Sequence, residues 1–319
     1  MQKFQSKELK ATRLGFGEAL VELGNENPNV VVLGGDVTGS VRTDLFMKAF
    51  PDRFFSVGIA EQDMMGTAAG LYIAGKIPFA STYGEFATGR PFDQIRQSIA
   101  YSRVPVKICA SHCGITVGPD GATHQSLEDI ATMSVLPHMT VATPCDYHEA
   151  KRMVKASVNW NHPIYIRFFR DNTPVFTDPS APFALGKADT LINGTDVTVI
   201  ACGLQVWEAI QAEEVLASEG ISVCLLNMHT IKPLDKDAVI KAAKETGAIV
   251  TAEDHQRHGG LGGAVAEVLA ETLPTPQEFV AVNDTFGESG KGDELMIKYG
   301  VAKDSIIKAV HKVLQRKKK

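Results

Sequence analysis

The chain has 319 residues, of which 44% are hydrophobic and 22% charged, and its formal net charge is −5. The length indicates about two domains, and the composition is typical of a globular protein with a large core. The negative charge argues against a general nucleic-acid binder, because such proteins neutralise phosphates with Lys and Arg. No apolar stretch reaches the ~20 residues of a membrane span, and the N-terminus lacks a secretory pattern. The five scattered cysteines fit a reducing compartment, so we expect a cytoplasmic protein.

Along the chain, short Val- and Ile-rich stretches alternate with helical patterns. In the first half the predicted strands are NVVVLGGD, RFFSVG, KIPFAST, VPVKICAS and MTVATP. After a Pro-rich segment, residues 171–189, the alternation restarts with DVTVIACG, ISVCLLNM and AIVTAED. Strands of this kind with helices between them are typical of parallel sheets joined by crossovers. We therefore predict two α/β domains, residues 1–185 and 186–319, with mostly parallel open sheets flanked by helices.

Polar residues stand at the ends of four predicted strands in the first half. They are Asp36, Glu61, Tyr83 and His112. Open parallel sheets bind ligands at the carboxyl ends of their strands, so we expect these residues to line one wall of a cleft. A glycine-rich loop, CGITVGPDGATHQS, carries Asp120 and His124 close by.

Glu61 lies where the strand RFFSVGIA meets a small-residue helix predicted from about Asp63, and no basic residue is close in the sequence. A carboxylate at a helix N-terminus is ordinarily stabilised by the free N–H groups there, so a capping role is the simplest interpretation. A carboxylate kept out of water can instead exchange a proton with the ring nitrogen of a ligand. The residues around Glu61 leave both roles open.

Three motifs at matching order and spacing resemble the pyrimidine-binding domain of transketolases and their thiamine-diphosphate-dependent relatives. They are RFFSVGIAEQDMMGTAAGL, STYGEFATGRPFDQIR and SHCGITVGPDGATHQSLEDIATM. Later stretches, IKPLD, AEDHQRHGGLGGAV and FGESG, are similar to the C-terminal domain of the same family. The resemblance covers nearly the whole chain, and it implies a pyrimidine-binding domain followed by a transketolase C-terminal domain.

The resemblance implies thiamine diphosphate as the cofactor. In the family, the glutamate that Glu61 matches hydrogen-bonds N1′ of the aminopyrimidine ring and favours its reactive tautomer. Tyr83 and Phe86 match aromatic residues around that ring, while a further aromatic position of many transketolases is occupied here by Gly89. Asp36 matches an acid near the cofactor and the dimer interface.

The resemblance also implies sugar contacts. His112 matches a residue near the far end of an acyclic sugar phosphate, Asp120 matches one that binds a hydroxyl, and His124 matches one near the donor carbonyl. A histidine beside an aspartate can move protons during C–C cleavage. Three further residues align with the phosphate site, namely Arg170, Arg13 and Ser40.

Thiamine-diphosphate enzymes of this type hold magnesium and the diphosphate with a Gly-Asp-Gly motif followed at a distance by Asn, and this chain has no such motif. The chain therefore resembles the C-terminal subunit of a split transketolase. The implied activity is transfer of a two-carbon ketol unit from a ketose phosphate to an aldose. We expect an N-terminal subunit to hold most of the thiamine diphosphate and Mg²⁺ site, in a dimer of heterodimers.

Three alternatives remain open at this stage. The β subunit of a 2-oxo acid dehydrogenase has the same domain content, but its loop differs from GPDGATHQ. Deoxyxylulose-5-phosphate synthase shares the GIAEQ motif. Its sequence resembles TFLQRAYDQ, however, at the position where this chain reads TYGEFATGRPFDQ. A non-catalytic paralogue could use the same fold as a structural subunit.

Two further patterns look like other kinds of site. CASHC, residues 109–113, offers two thiols and an imidazole, but it lacks a second ligand pair at zinc spacing. HGGLGGAV, residues 258–265, looks like a phosphate loop, although a lone glycine cluster is a weak signal. We interpret both as structural.

Overall fold

A computed structural model describes residues 4–6 and 8–317. Its strands are β1 Glu8–Lys10, β2 Val30–Gly34, β3 Phe54–Ser56, β4 Ile77–Tyr83, β5 Lys107–Ser111, β6 Thr140–Ala142, β7 Ile164–Arg167, β8 Thr173–Val175, β9 Asp189–Ile192, β10 Val197–Ala201, β11 Val223–Asn227, β12 Thr230–Lys232, β13 Ile249–Gln256 and β14 Gln277–Val282.

The helices of the same residues alternate with these strands. They are α1 Thr12–Glu26, α2 Thr38–Val41, α3 Asp44–Ala49, α4 Glu61–Ile73, α5 Gly84–Thr88, α6 Phe92–Gln94, α7 Asp129–Ser134, α8 Tyr147–Ser157, α9 Gln205–Ser218, α10 Lys236–Thr246, α11 Leu261–Thr272, α12 Gly292–Lys298 and α13 Lys303–Lys317. A π-helical segment, Ile95–Tyr101, follows α6, and a 3₁₀ segment, Ile115–Asp120, follows β5. No helix in these ranges is long and apolar enough to cross a membrane.

The larger sheet has the strand order β12-β6-β7-β5-β4-β2-β3. All its pairings are parallel except that of β12 with β6. Every residue of β2, β5 and β7 is buried, as expected for parallel strands covered on both faces by helices. Strand β3 forms one edge of the sheet, and α4 begins five residues after it.

The second sheet has the order β14-β13-β10-β11-β9, with β9 antiparallel to β11 and the other pairs parallel. The predicted fold class, two domains with mostly parallel sheets flanked by helices, is therefore confirmed. The boundary between residues 185 and 186 stays a prediction. Strand β12, which follows that boundary in sequence, adds to the first sheet, so the two halves share backbone hydrogen bonds.

The strand order determines where the polar strand-end residues lie. Strands β3, β2, β4 and β5 are neighbours and run in parallel, so their carboxyl ends share one edge. Gly34 pairs with Ser56 and Ser81, and Tyr83 pairs with Ser111. The residues that follow these strands are consequently presented side by side, as predicted.

Candidate active site

Glu61 is buried, with a relative exposure of 4%, although it carries a carboxylate. It is the first residue of α4, which begins two residues earlier than predicted. Arg90 Nη1 donates to both carboxylate oxygens, at 3.1 and 3.2 Å. Sequence reasoning missed this partner because it lies 29 residues further along the chain, in the TGRP turn after α5.

Arg90 connects Glu61 to a cluster of rings. Its guanidinium carbon lies 4.0 Å from the centroid of Phe86, and the ring of Phe86 is nearly parallel to that of Tyr83, 5.8 Å away. Tyr83 in turn stacks on His112, with centroids 4.0 Å apart. His124 meets the edges of Phe86 and Tyr83 at 5.3 and 6.1 Å. The structure therefore brings these predicted residues together beside Glu61.

His112 lies buried at the centre of the cluster, in a left-handed backbone conformation with φ +58°. Burial, followed by the nearby charges of Arg13, Arg170 and His124, lowers the pKa of His112 to about 3. Its imidazole is thus neutral near pH 7, with one nitrogen able to accept and the other to donate. Ser111 Oγ lies 3.1 Å from Nδ1.

A group of arginines lies beyond His112. Arg170 Nη1 donates to the Val117 carbonyl at 2.8 Å and lies 3.9 Å from Asp120 Oδ1. Arg13 donates to the Ser40 carbonyl. Burial lowers the pKa of Arg13, followed by the positive charges of Arg42 and Arg170. The predicted cations Arg13 and Arg170 therefore lie in one electrostatic neighbourhood, together with an arginine that sequence reasoning missed.

Asp36 comes two residues after the end of β2. It is exposed and follows β2 with a positive φ of 63°, a conformation that aspartate tolerates better than most residues. Its proposed link to the cofactor stays a prediction.

The glycine-rich loop is held by a buried network that spans both halves of the chain. Arg167 donates to Asp129 at 2.8 Å and to the Asp254 carbonyl at 2.7 Å. The Asp254 side chain accepts from the Ile115 N–H at 3.0 Å. A Cβ at Gly114, whose φ is +84°, would lie 1.9 Å from Asp254 Oδ2, so only glycine fits there. The position of Asp120 and His124 thus depends on residues of the second half.

The two other patterns have structural explanations. Glu253 accepts from the Leu261 and Gly262 N–H groups at 2.7 and 2.8 Å, so a carboxylate of the chain itself occupies the N-terminus of α11 in HGGLGGAV. Burial raises the pKa of Glu253 to about 7. Cys109 and Cys113 are buried, and burial raises the pKa of both thiols.

Two family models match this chain. The transketolase pyrimidine-binding domain matches residues 8–175, and the transketolase C-terminal domain matches residues 186–306. Together they cover most of the sequence, and they agree with the two sheets and with the motifs at the strand ends. The chain belongs to the transketolase family.

Its relatives include proteins of similar length. A protein described as a transketolase C-terminal section, from Methanocaldococcus jannaschii, is 46% identical over 310 residues, which are 96% of this chain and 97% of that protein. A 6-deoxy-6-sulfo-D-fructose transketolase subunit from Clostridium sp. (strain MSTE9) is 40% identical over 302 residues, covering 95% and 94%. A solved structure described as a split gene transketolase, inactive β4 tetramer, superposes with a TM-score of 0.91 at 47% identity, covering 96% of this chain and 99% of that one.

Proposed function

We propose that this chain is the C-terminal subunit of a split transketolase, which transfers a two-carbon ketol unit from a ketose phosphate to an aldose in complex with an N-terminal subunit. The observation that carries the proposal is the continuous set of contacts from buried Glu61 through Arg90, Phe86 and Tyr83 to His112. A carboxylate, flat rings and cations along one sheet edge suit a ligand with an aromatic end and an anionic end.

The residues fit the aminopyrimidine end of thiamine diphosphate. Glu61 is buried, but its partner Arg90 is half-exposed and can move away, which would free the carboxylate for a ring nitrogen. The Ser81 and Thr82 hydroxyls are buried beside this edge without a partner among the described residues. When bound, thiamine diphosphate would supply the nucleophilic carbon for ketol transfer. Glu61 then holds and moves a proton at N1′, while Phe86 and Tyr83 contact the ring.

The sugar would lie along the glycine-rich loop. His124 moves a proton at the donor carbonyl or its neighbouring hydroxyl, and Asp120 binds a hydroxyl near the reacting carbons. The neutral imidazole of His112 donates to the far end of the sugar. The terminal phosphate is bound by Arg170, Arg13 and Ser40. The two arginines suit this role because a planar guanidinium group binds an oxyanion with two parallel hydrogen bonds.

A partner subunit is supported by the surface around Glu61. The apolar side chains of Ile59 and Ile73 are 73% and 78% exposed. Between them, Gly66 and Gly70 lie four residues apart on α4, and no atom of another described element lies within 4 Å of the Cβ that either could carry. A glycine face of this kind lets a second helix approach closely. We propose that α4 forms part of the subunit interface, with Asp36 near it.

The partner is also needed for the cofactor. In our proposal the N-terminal subunit holds the diphosphate and Mg²⁺, and the complex is a dimer of heterodimers. One relative is described as a split gene transketolase in an inactive β4 tetramer, which fits a chain that requires another subunit for activity. The cytoplasmic location inferred from the cysteines stays a prediction.

The direct test is ketol transfer from xylulose 5-phosphate to ribose 5-phosphate, with thiamine diphosphate and Mg²⁺. We would assay this chain alone, the N-terminal subunit alone and the mixture, and compare wild type with Glu61→Gln. The control is Glu267→Gln, the same change at an exposed glutamate of α11. Activity only in the mixture, lost with Glu61→Gln and kept with Glu267→Gln, supports the proposal. Full activity of this chain alone contradicts it.

The identity of the donor is tested separately. One relative is named for a sulfonated sugar, and the resemblance left a deoxyxylulose-5-phosphate synthase open. The same mixture would be given 6-deoxy-6-sulfofructose as donor, and separately pyruvate with glyceraldehyde 3-phosphate. We expect xylulose 5-phosphate to be the best donor, and a higher kcat/KM with either alternative would replace it.

A further inference from the structure

We propose that Arg42 is a third arginine of the anion-binding end and that it makes the site select donors carrying a terminal oxyanion, foremost a phosphate, over uncharged ketoses. This inference rests on the proposed function and deepens it. Arg42 belongs to none of the sequence motifs from which the sugar contacts were predicted.

The backbone places Arg42 beside Arg13. Arg42 ends α2 in a left-handed conformation, φ +68°, and packs against α1 at Gly17. A Cβ at Gly17 would lie 2.5 Å from the Arg42 carbonyl oxygen and 2.8 Å from its Cβ, so this contact requires glycine. Gly17 is four residues after Arg13, and residues at that spacing share one face of a helix.

A second contact brings the guanidinium of Arg13 to the same segment. Arg13 Nη1 donates to the carbonyl of Ser40, two residues before Arg42. The α2 segment is therefore held against α1 at two points, Ser40 and Arg42. Arg42 therefore packs against α1 one helical turn away from Arg13.

The two arginines also have unsatisfied donors. The Nε atoms of Arg13 and Arg42 are buried, and neither has a hydrogen-bond partner among the described residues. Buried donors in proteins are nearly always paired, because an unpaired one loses its bonds to water without replacement. An oxyanion with several acceptor oxygens can satisfy both arginines together.

The positive charges around Arg13 also favour a bound anion. Arg42 and Arg170 both disfavour the charged form of Arg13, whose pKa is lowered mainly by burial, and Asp171 only partly opposes them. In the free chain the guanidinium group of Arg13 is therefore repelled by those of Arg42 and Arg170. A bound anion removes that repulsion, and an uncharged ligand does not.

A purely structural role for Arg42, as the end of α2, makes a different prediction. Such a role would affect all donors equally and would not need a positive charge. The variants Arg42→Gln and Arg42→Lys separate the two roles. Glutamine removes the positive charge, whereas lysine keeps the charge but lacks the planar guanidinium group. Lys48→Gln is the matched control, because Lys48 is a mostly exposed cation on the neighbouring α3, paired with Asp44.

The first measurement needs no activity. We would follow the thermal stability of the purified chain against inorganic phosphate, with chloride at equal ionic strength as the reference. We expect phosphate to stabilise wild type and Lys48→Gln equally, Arg42→Lys less, and Arg42→Gln with about tenfold weaker apparent affinity or more, as for loss of a charged hydrogen bond. Equal stabilisation of Arg42→Gln and wild type would overturn the inference.

The second measurement uses the complex with the N-terminal subunit. We expect Arg42→Gln to raise KM for xylulose 5-phosphate about tenfold or more and to leave kcat/KM for the uncharged donor L-erythrulose within about twofold. Equal losses for both donors would assign Arg42 a structural role and overturn the inference. If the complex transfers no ketol unit, the proposed function fails, and the phosphate titration still decides the role of Arg42.

Discussion

Arg90 Nη1 lies 3.1 Å from one carboxylate oxygen of Glu61 and 3.2 Å from the other. The pair is asymmetric, because the side chain of Glu61 is 4% exposed whereas that of Arg90 is 48% exposed. An ion pair with one partner in water contributes little net stability. The contact therefore covers Glu61 in the free chain without holding it firmly, and a ligand that offers a ring nitrogen can displace Arg90.

We expect Arg90→Gln to leave thiamine diphosphate binding by the complex unchanged or up to about tenfold tighter, because Glu61 loses a competing partner. The isolated chain should become slightly less stable, since a buried carboxylate loses its cation. Isothermal titration of the cofactor checks the first expectation and thermal unfolding the second. Arg96→Gln, an exposed arginine in the following helical segment, is the control. Binding that weakens tenfold would instead make Arg90 a cofactor ligand.

The buried network behind the glycine-rich loop is expected to be sensitive to loss of Arg167. Arg167→Met leaves Asp129 buried without its cation and should lower the free energy of unfolding by about 3–5 kcal/mol. Because Arg167 also bonds the Ser126 and Asp254 carbonyls, the loop should become accessible to protease. Denaturant unfolding and limited proteolysis measure the two effects. A loss below about 1 kcal/mol would show that the network does not hold the loop.

His112 makes the stability of the chain depend on pH. Its pKa is about 3 in the folded chain, below the ordinary value of 6.5, so between these values the unfolded chain binds more protons. Its contribution to stability is therefore complete above pH 6.5 and is lost as the pH falls, by up to about 1.4 kcal/mol per pH unit. Other buried groups such as Glu149 also titrate, so the measurement is the difference between wild type and His112→Gln from pH 7 to 5. A difference that stays constant over this range would contradict it.

The glycine face of α4 gives a prediction about assembly. Gly66→Leu should leave the isolated chain as stable as wild type or more stable by up to about 1 kcal/mol, because Gly66 has open space and leucine favours helix. The same change should prevent complex formation with the N-terminal subunit, measured by light scattering after size-exclusion chromatography. Gly263→Leu on α11, also facing open space, should assemble normally. A Gly66→Leu chain that assembles like wild type would move the interface elsewhere.

Much of the fold was predictable because buried parallel strands have a simple pattern. The predicted strands of both halves occur, from β2 to β13, whereas β7, IYIR, was missed although it is fully buried. Its four residues end in Arg167, whose charge breaks the apolar run and whose partners, Asp129 and the Asp254 carbonyl, are 38 and 87 residues away. The crossing of β12 into the first sheet also has no local signal.

The site was predictable to a similar degree and for a similar reason. Motif spacing placed Glu61, Tyr83, Phe86, His112 and His124 at one sheet edge, where the structure brings them together. Arg90 and Arg42 were not found. Arg90 bonds Glu61, 29 residues away, and Arg42 packs against Gly17 of α1, 25 residues away. Local sequence cannot distinguish such an arginine from one exposed to solvent.

The role of Glu61 in moving a proton on the aminopyrimidine ring is tested most directly by the rate at which the C2 proton of bound thiamine diphosphate exchanges with deuterium. This rate is measured by NMR after acid quenching of the complex, for wild type, Glu61→Gln and the control Glu267→Gln on α11, without any sugar. We expect Glu61→Gln to slow exchange about 10²–10⁴-fold, the usual contribution of a positioned acid–base group, and Glu267→Gln to exchange like wild type. Exchange in Glu61→Gln at the wild-type rate, with the cofactor shown to be bound, would contradict the role assigned to Glu61.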